Sequence, residues 1–179
     1  MRAGIVSCLV AAALSGYAVA ADVKVEWQEP EKFTDIRPTN DSRKVFRERV
    51  MQKFDVMFQE MAMKLPEGYQ WQVKVTDIDL AGDVDYFAGG AGNPLRVVKD
   101  IYSPMIKFSY MLRDKHGEEV ASAEEKLRDM GFMHSVNSFN SQGEFHYEQK
   151  MLESWFNKSL MPKVEQYAQA LPKVSNPAP

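Results

Sequence analysis

Beyond residue 20 the chain contains no cysteine, and the single one it has, Cys8, lies in an uncharged amino-terminal stretch. Disulfides, thiolate nucleophiles, cysteine-held zinc and iron–sulfur clusters are therefore excluded for everything after that stretch. Basic runs are missing too. With a formal charge of -3 and nothing to focus positive potential, the chain lacks the electrostatic footprint of a nucleic-acid binder. The glycines at Gly89, Gly90 and Gly92 do not form a phosphate loop, because neither G-x-x-x-x-G-K-[ST] nor G-x-G-x-x-G is present between a strand and a helix. No G-x-S-x-G or S-x-x-K string offers an activated serine. The three histidines, His116, His134 and His146, have no spacing that fits a triad or a zinc site. Carboxylate pairs of the glycosidase kind stay open, since their partners need not be adjacent in sequence.

What is present is the composition of one globular domain: 179 residues, 45% hydrophobic and 26% charged. Residues 1–20 stand apart. Arg2 supplies a positive start, residues 3–20 carry no charge, and Ala18-Val19-Ala20 is an A-x-A cleavage pattern followed by Asp22. This reads as a secretory signal peptide cleaved after Ala20, which places the mature protein in the periplasm with no membrane span. Its removal leaves 21 bases against 25 acids, a net charge of -4. The expected organisation is a leader over 1–20, a single α+β domain over 21–172 and a disordered tail over 173–179, where prolines and small residues dominate.

Along the domain, Val23 to Trp27 alternates as a short strand, and a proline-containing loop follows up to a helix cap at Asp41 or Ser42. Phe46, Val50, Phe54, Met57, Phe58, Met61 and Leu65 recur at three and four, predicting an amphipathic helix over 43–65. Trp71, Val73 and Val75 begin a second strand. Arg96 to Ile101 is expected to be extended. Ile106 to Leu112 and Val120 to Leu127 flank Asp114-Lys115-His116-Gly117 as a hairpin. Residues 130–142 are of mixed character, and a last helix over about 143–171 carries Met151, Leu152, Trp155, Phe156 and Leu160, with Pro162 expected to kink or divide it. The sum is a two-layer α+β fold, an antiparallel or mixed sheet with two long helices packed on one face.

The strings EWQEPEKFTDIR, SRKVFRERV, VTDIDLAGDV, RVVKDIYSP, IKFSYMLRDKHGEEV and YEQKMLESWF, in this order, resemble the successive blocks of the bacterial family catalogued as domain of unknown function 3016. The resemblance spans nearly the whole mature chain. It implies a small exported protein and carries no catalytic residues onto this sequence.

The stretch Trp71 to Pro104 concentrates acid and glycine and is the first candidate for a site. Asp77, Asp79, Asp83 and Asp85 suggest a hard divalent cation such as calcium. Against the EF-hand spacing, Asp77, Asp79, Gly82 and Asp85 fall at positions 1, 3, 6 and 9, but Ala81 and Ala88 stand where ligands are required at 5 and 12. The competing reading is that these aspartates shape turns and caps at strand ends. Copper is a second candidate, from Met61, Met63, Met130, Met133 and His134, with methionine as adaptable core filler against it. Neither makes a cofactor the leading expectation. The functional expectation is a non-enzymatic envelope module that binds a protein partner or a small ligand through the Asp77–Asp85 loop together with Arg96, Lys99, Asp100 and Tyr102. The alternative is a divalent-cation-binding protein, or a carboxylate- or metal-dependent hydrolase, using the same loop.

Overall fold

A computed structural model describes residues 20–90, 92–134 and 143–171. Apart from Ala20, the leader expected over 1–20 and the tail over 173–179 lie outside the described residues, as does most of the mixed segment before the last helix.

Strand β1 (Asp22–Trp27) runs parallel to β2 (Gln70–Asp79), in register from Asp22 opposite Gln70 to Trp27 opposite Val75. A parallel neighbour requires a crossover, and helix α1 (Arg43–Ala62) supplies it. The helix starts where the Val45 N–H donates to Ser42 Oγ at 3.3 Å, and it stops where the chain reaches Pro66 and the left-handed Gly68. Strand β2 continues antiparallel to β5 (Met105–Arg113), and β5 to β6 (Glu119–Arg128). The result is a mixed four-stranded sheet in the order β1-β2-β5-β6. Between β2 and β5 the chain leaves the sheet to make a small antiparallel ribbon, β3 (Asp83–Asp85) with β4 (Leu95–Val97).

The helical layer covers one face. Trp71, Val73, Val75, Phe108, Tyr110 and Leu112 point into it and are buried, whereas Gln72, Lys74, Ser109 and Met111 face outward. The alternation read from Trp71 to Val75 does not stop there. A bulge between Val75 and Asp77 shifts the register by one residue, so Ile78 also points inward and the strand extends to Asp79. From the helical side come Val50, Phe54 and Phe58 of α1, and Leu152, Trp155 and Phe156 of the last helix. Trp155 stacks on Trp71 with ring centres 6.3 Å apart and meets the edge of Phe108 at 4.9 Å. Both indole nitrogens are buried without an acceptor, so these rings contribute by packing.

The last helix is continuous: α2 (His146–Trp155), a π turn over Phe156–Leu160, and α3 (Met161–Ala170). Pro162 neither breaks nor divides it. It has no N–H to donate, and the wider turn ahead of it, in which the Met161 N–H reaches back to Phe156 O, places it in the first turn of α3, where no such donor is needed. The β5–β6 turn is fixed by Asp114, which accepts from the His116 and Glu118 N–H groups and from the Tyr167 hydroxyl at 2.8, 2.9 and 3.1 Å. No helix among the described residues is long and apolar enough to cross a membrane.

Candidate functional site

Strand β2 ends at Asp79, and Leu80 and Ala81 remain buried before the chain turns at Gly82. That turn requires glycine. Gly82 has φ 81°, and a Cβ on it would sit 2.8 Å from Val97 O. The close approach carries the chain into the ribbon, whose base is held by an ion cluster.

At the centre of the cluster is Asp35, a buried carboxylate in the loop between β1 and α1. Its backbone extends the sheet, donating to Ile78 O at 3.0 Å and accepting from the Leu80 N–H at 3.1 Å, so its side chain is set beside the end of β2. Arg96 of β4 reaches it with Nη1 at 2.9 Å from Oδ2, and also donates to Gly82 O at 3.0 Å and Arg37 O at 2.9 Å. Arg37 donates through Nε to Asp35 Oδ1 at 2.9 Å and through Nη2 to Asp83. Burial alone would raise the Asp35 carboxyl, but the two guanidinium groups outweigh it and hold it below the usual carboxylate range. The cluster is a clamp. It ties β4, the Gly82 turn and the 35–37 loop to one another.

The four aspartates of the first-choice loop do not share a ligand position. Asp77 accepts from the Thr34 N–H and hydroxyl at 2.7 and 2.9 Å and from Lys107 at 2.9 Å. Asp79 accepts from Arg128 at 3.1 Å. Asp83 takes Arg37 and its neighbour's Val84 N–H, and Asp85 caps the Phe87 N–H at 2.9 Å. No group of three or more His, Cys, Asp or Glu among the described residues is arranged to hold a metal ion. The turn-and-cap reading of these aspartates describes Asp85 well. Asp77 and Asp79, however, are parts of β2 that tie the sheet to the 34–37 loop and to β6. The methionines named for copper diverge: Met61 is buried in the core, whereas Met63 and Met130 are exposed.

The arginine expected to offer charge to a partner is committed inside the protein, its side chain 19% exposed. Lys99 and Asp100 are exposed, with Asp100 capping the Ile101 N–H at 2.9 Å. Tyr102 is half-buried, and its carbonyl accepts from the Gly82 N–H at 3.0 Å, which binds this segment to the foot of the ribbon. Ile101, Tyr102, Ser103, Asp79, Asp83 and Arg128 line a shallow hollow of about 240 Å³ there.

Over residues 21–158 the sequence matches the family described as protein of unknown function, DUF3016. The chain belongs to this family. Neither a curated protein nor a solved structure matches it. The DUF3016 span contains every residue of the clamp and both strands of the ribbon.

It also contains two features that the sequence reading passed over. Glu148 in α2 is buried, and its Oε1 accepts the Ala81 N–H at 2.7 Å, bridging the last helix to the turn before the ribbon. Burial pushes its carboxyl up, against that hydrogen bond. Phe145, just before α2, is held in the left-handed region at φ 65° while its ring meets Phe46 and Phe54. Neither leaves a local sequence signal, because a glutamate in an amphipathic helix normally faces water.

Apolar side chains stand exposed around this end of the molecule. Phe87 at the tip of the ribbon is 86% exposed, Ile101 72% and Met130 71%, with Tyr86, Leu95 and Val98 also open. At the tip the Gly89 N–H donates to Asn93 O and the Asn93 N–H to Gly90 O. A larger hollow of about 540 Å³ lies over the open face of the sheet, where Lys24, Glu26, Lys74 and Glu124 alternate in sign. That pattern is ordinary for a solvated sheet face, so the ribbon end is the better candidate.

Proposed function

We propose that this is an exported, non-enzymatic module of the bacterial envelope that docks another protein through the ribbon and the adjoining Lys99–Tyr102 segment. The observation that carries the reading is a division of labour. Asp35, Asp77, Asp79 and Asp83 and their arginine and lysine partners are committed to one another, while Phe87, Ile101 and Met130 stand exposed among the described residues. Large exposed apolar side chains are the makings of a protein contact. A protein fits better than an anionic lipid surface, because the exposed Asp85 and Asp100 lie beside these side chains, Lys99 is the one exposed base next to Asp100 in sequence, and no basic cluster is present among the described residues to attract phosphate headgroups. Export is supported by the charge-free stretch and A-x-A pattern over residues 1–20.

The test pairs stability with capture. A Phe87→Ser, Ile101→Ser double variant touches no clamp residue and should unfold within about 0.5 kcal/mol of the parent, with a melting point indifferent to Ca²⁺ or EDTA. It should lose the protein that the parent retains from a periplasmic extract, and the purified partner should bind the parent only. Equal binding by the double variant, or release of a mature chain that does not begin at Ala21, would count against the proposal.

A further inference from the structure

A second cleft opens on the other side of the clamp. About 240 Å³ in volume, it lies between the start of α2, α1 and the ribbon foot, and it does not use Phe87 or Ile101. We propose that it binds a small monocarboxylate with an apolar body, such as a single aromatic ring or a branched aliphatic chain.

Arg37, Arg49 and Arg96 all line the cleft; of the carboxylates that pair them, Asp35, Asp41 and Asp83 lie outside the lining, and Glu144, the second partner of Arg49, lies within it. Arg37 and Arg96 are neutralised by Asp35 and Asp83 behind the lining, which leaves Arg49 as the guanidinium open to an occupant, with Glu144 and Glu148 as the acids of the wall. Glu144 sits at the rim, about as exposed as Arg49. Glu148 is 2% exposed and its Oε1 is turned to the Ala81 N–H, so its carboxyl is engaged with the protein rather than offered to an occupant.

Arg49 is the group best placed to receive a carboxylate. Its guanidinium lies 5.1 Å from the centre of the Phe46 ring, which holds it against the wall. Its Nε approaches Glu144 Oε1 at 3.3 Å yet makes no hydrogen bond. Half-exposed pairs of this kind contribute little, so an incoming carboxylate can replace Glu144 and take the donor that Glu144 leaves unused. Arg49 Nη2 is held by Asp41 at 2.8 Å, so the incoming carboxylate is received at Nε, as a charge-assisted hydrogen bond.

The rest of the lining suits an apolar body: Val98, Phe145 and the edge of Phe46 provide the surface against which it would rest. The volume is below the roughly 300–1,000 Å³ typical of sites for drug-sized ligands, which points to one ring or a short branched chain.

The experiment is an amide-resolved NMR titration of the purified protein with benzoate, benzyl alcohol and benzylamine, three probes of one shape and different charge. Benzoate should shift the amides of Ala81, Val98 and Tyr147 saturably, with benzyl alcohol and benzylamine at least tenfold weaker. Arg49→Gln should weaken benzoate tenfold or more. Val98→Trp, which fills the mouth without altering any charge, should abolish the shifts while the rest of the spectrum keeps its dispersion. The proposal is overturned if benzylamine or benzyl alcohol saturates these amides as tightly as benzoate, if either variant leaves the benzoate titration unchanged, or if benzoate gives no saturable shift up to about 50 mM, beyond the weakest binding worth the name. The Phe87→Ser, Ile101→Ser variant should titrate like the parent, so a failed ribbon contact and a failed cleft are distinguishable.

Discussion

Arg96 is the residue on which the site end of the molecule depends. It is mostly buried, its partner Asp35 more so, and removing one member of such a pair leaves the other charge buried and alone. Arg96→Ala should therefore destabilise the protein by about 3 kcal/mol or more in urea unfolding. Arg96→Lys should recover little, because one ammonium cannot reproduce contacts to a carboxylate and two carbonyls at once. A loss within the range of an ordinary surface substitution would remove the clamp from the account.

Titration gives a second check at the same scale, because the carboxyls at this end of the molecule pull in opposite directions. Asp35 and Asp77 are held below the usual range: burial opposes ionisation in each, but Arg96 and Arg37, or Lys107 and Thr34, outweigh it. Their contribution is complete above about pH 4, where an unfolded aspartate is ionised, and is lost as pH falls through the native values. Glu148 lies above its usual value because of burial. Between about pH 4.3, where an unfolded glutamate titrates, and the native value, the folded state holds the extra proton, so stability declines as pH rises through that window. Glu148→Gln keeps an acceptor for the Ala81 N–H and cannot ionise. Its stability relative to the parent should rise from pH 4 to pH 8 in denaturant titrations, and a difference independent of pH would contradict the assignment. None of these roles was legible from the sequence. Asp35 meets Arg96 across 61 residues and Glu148 meets Ala81 across 67, and local pattern is silent about which carboxylates fold inward.

Among the elements, periodic ones were readable and short ones were not. The apolar stripe of α1 named its buried residues except Ala62, with Leu65 falling just past the helix end, and Ile106 to Leu112 named the inward face of β5, because many positions repeat the same constraint. The ribbon strands have three residues each, too few for a period, and Asp83-Val84-Asp85 looked like turn chemistry. The extended segment expected from Arg96 to Ile101 shrinks to β4, since the chain turns back at Lys99, whose carbonyl accepts the Tyr102 N–H. These differences should show in hydrogen exchange. Amides of β2 and β5, central in the sheet and backed by Trp71, Phe108 and Trp155, should exchange only with global unfolding, while those of β3 and β4 should exchange by local opening at least tenfold faster. Equal protection would mean that the clamp fastens the ribbon as firmly as the core.

The whole molecule places a closed apolar core at its centre and an uncovered apolar fringe at one end, with a saturated ion cluster between them. Fold class and helix count followed from composition and period. The fringe did not, because exposed Phe87, Ile101 and Met130 are indistinguishable in sequence from core residues until the core is seen to be full without them. The most direct measurement is site-specific photo-cross-linking in the envelope, with the probe at Phe87 and, as a control on the open sheet face, at Lys24. The account predicts a discrete heavier adduct from Phe87, with a protein other than a second copy of this chain, that disappears when Ile101 is changed to Ser, and no such adduct from Lys24. No adduct from Phe87, or the same adduct from both positions, would contradict it.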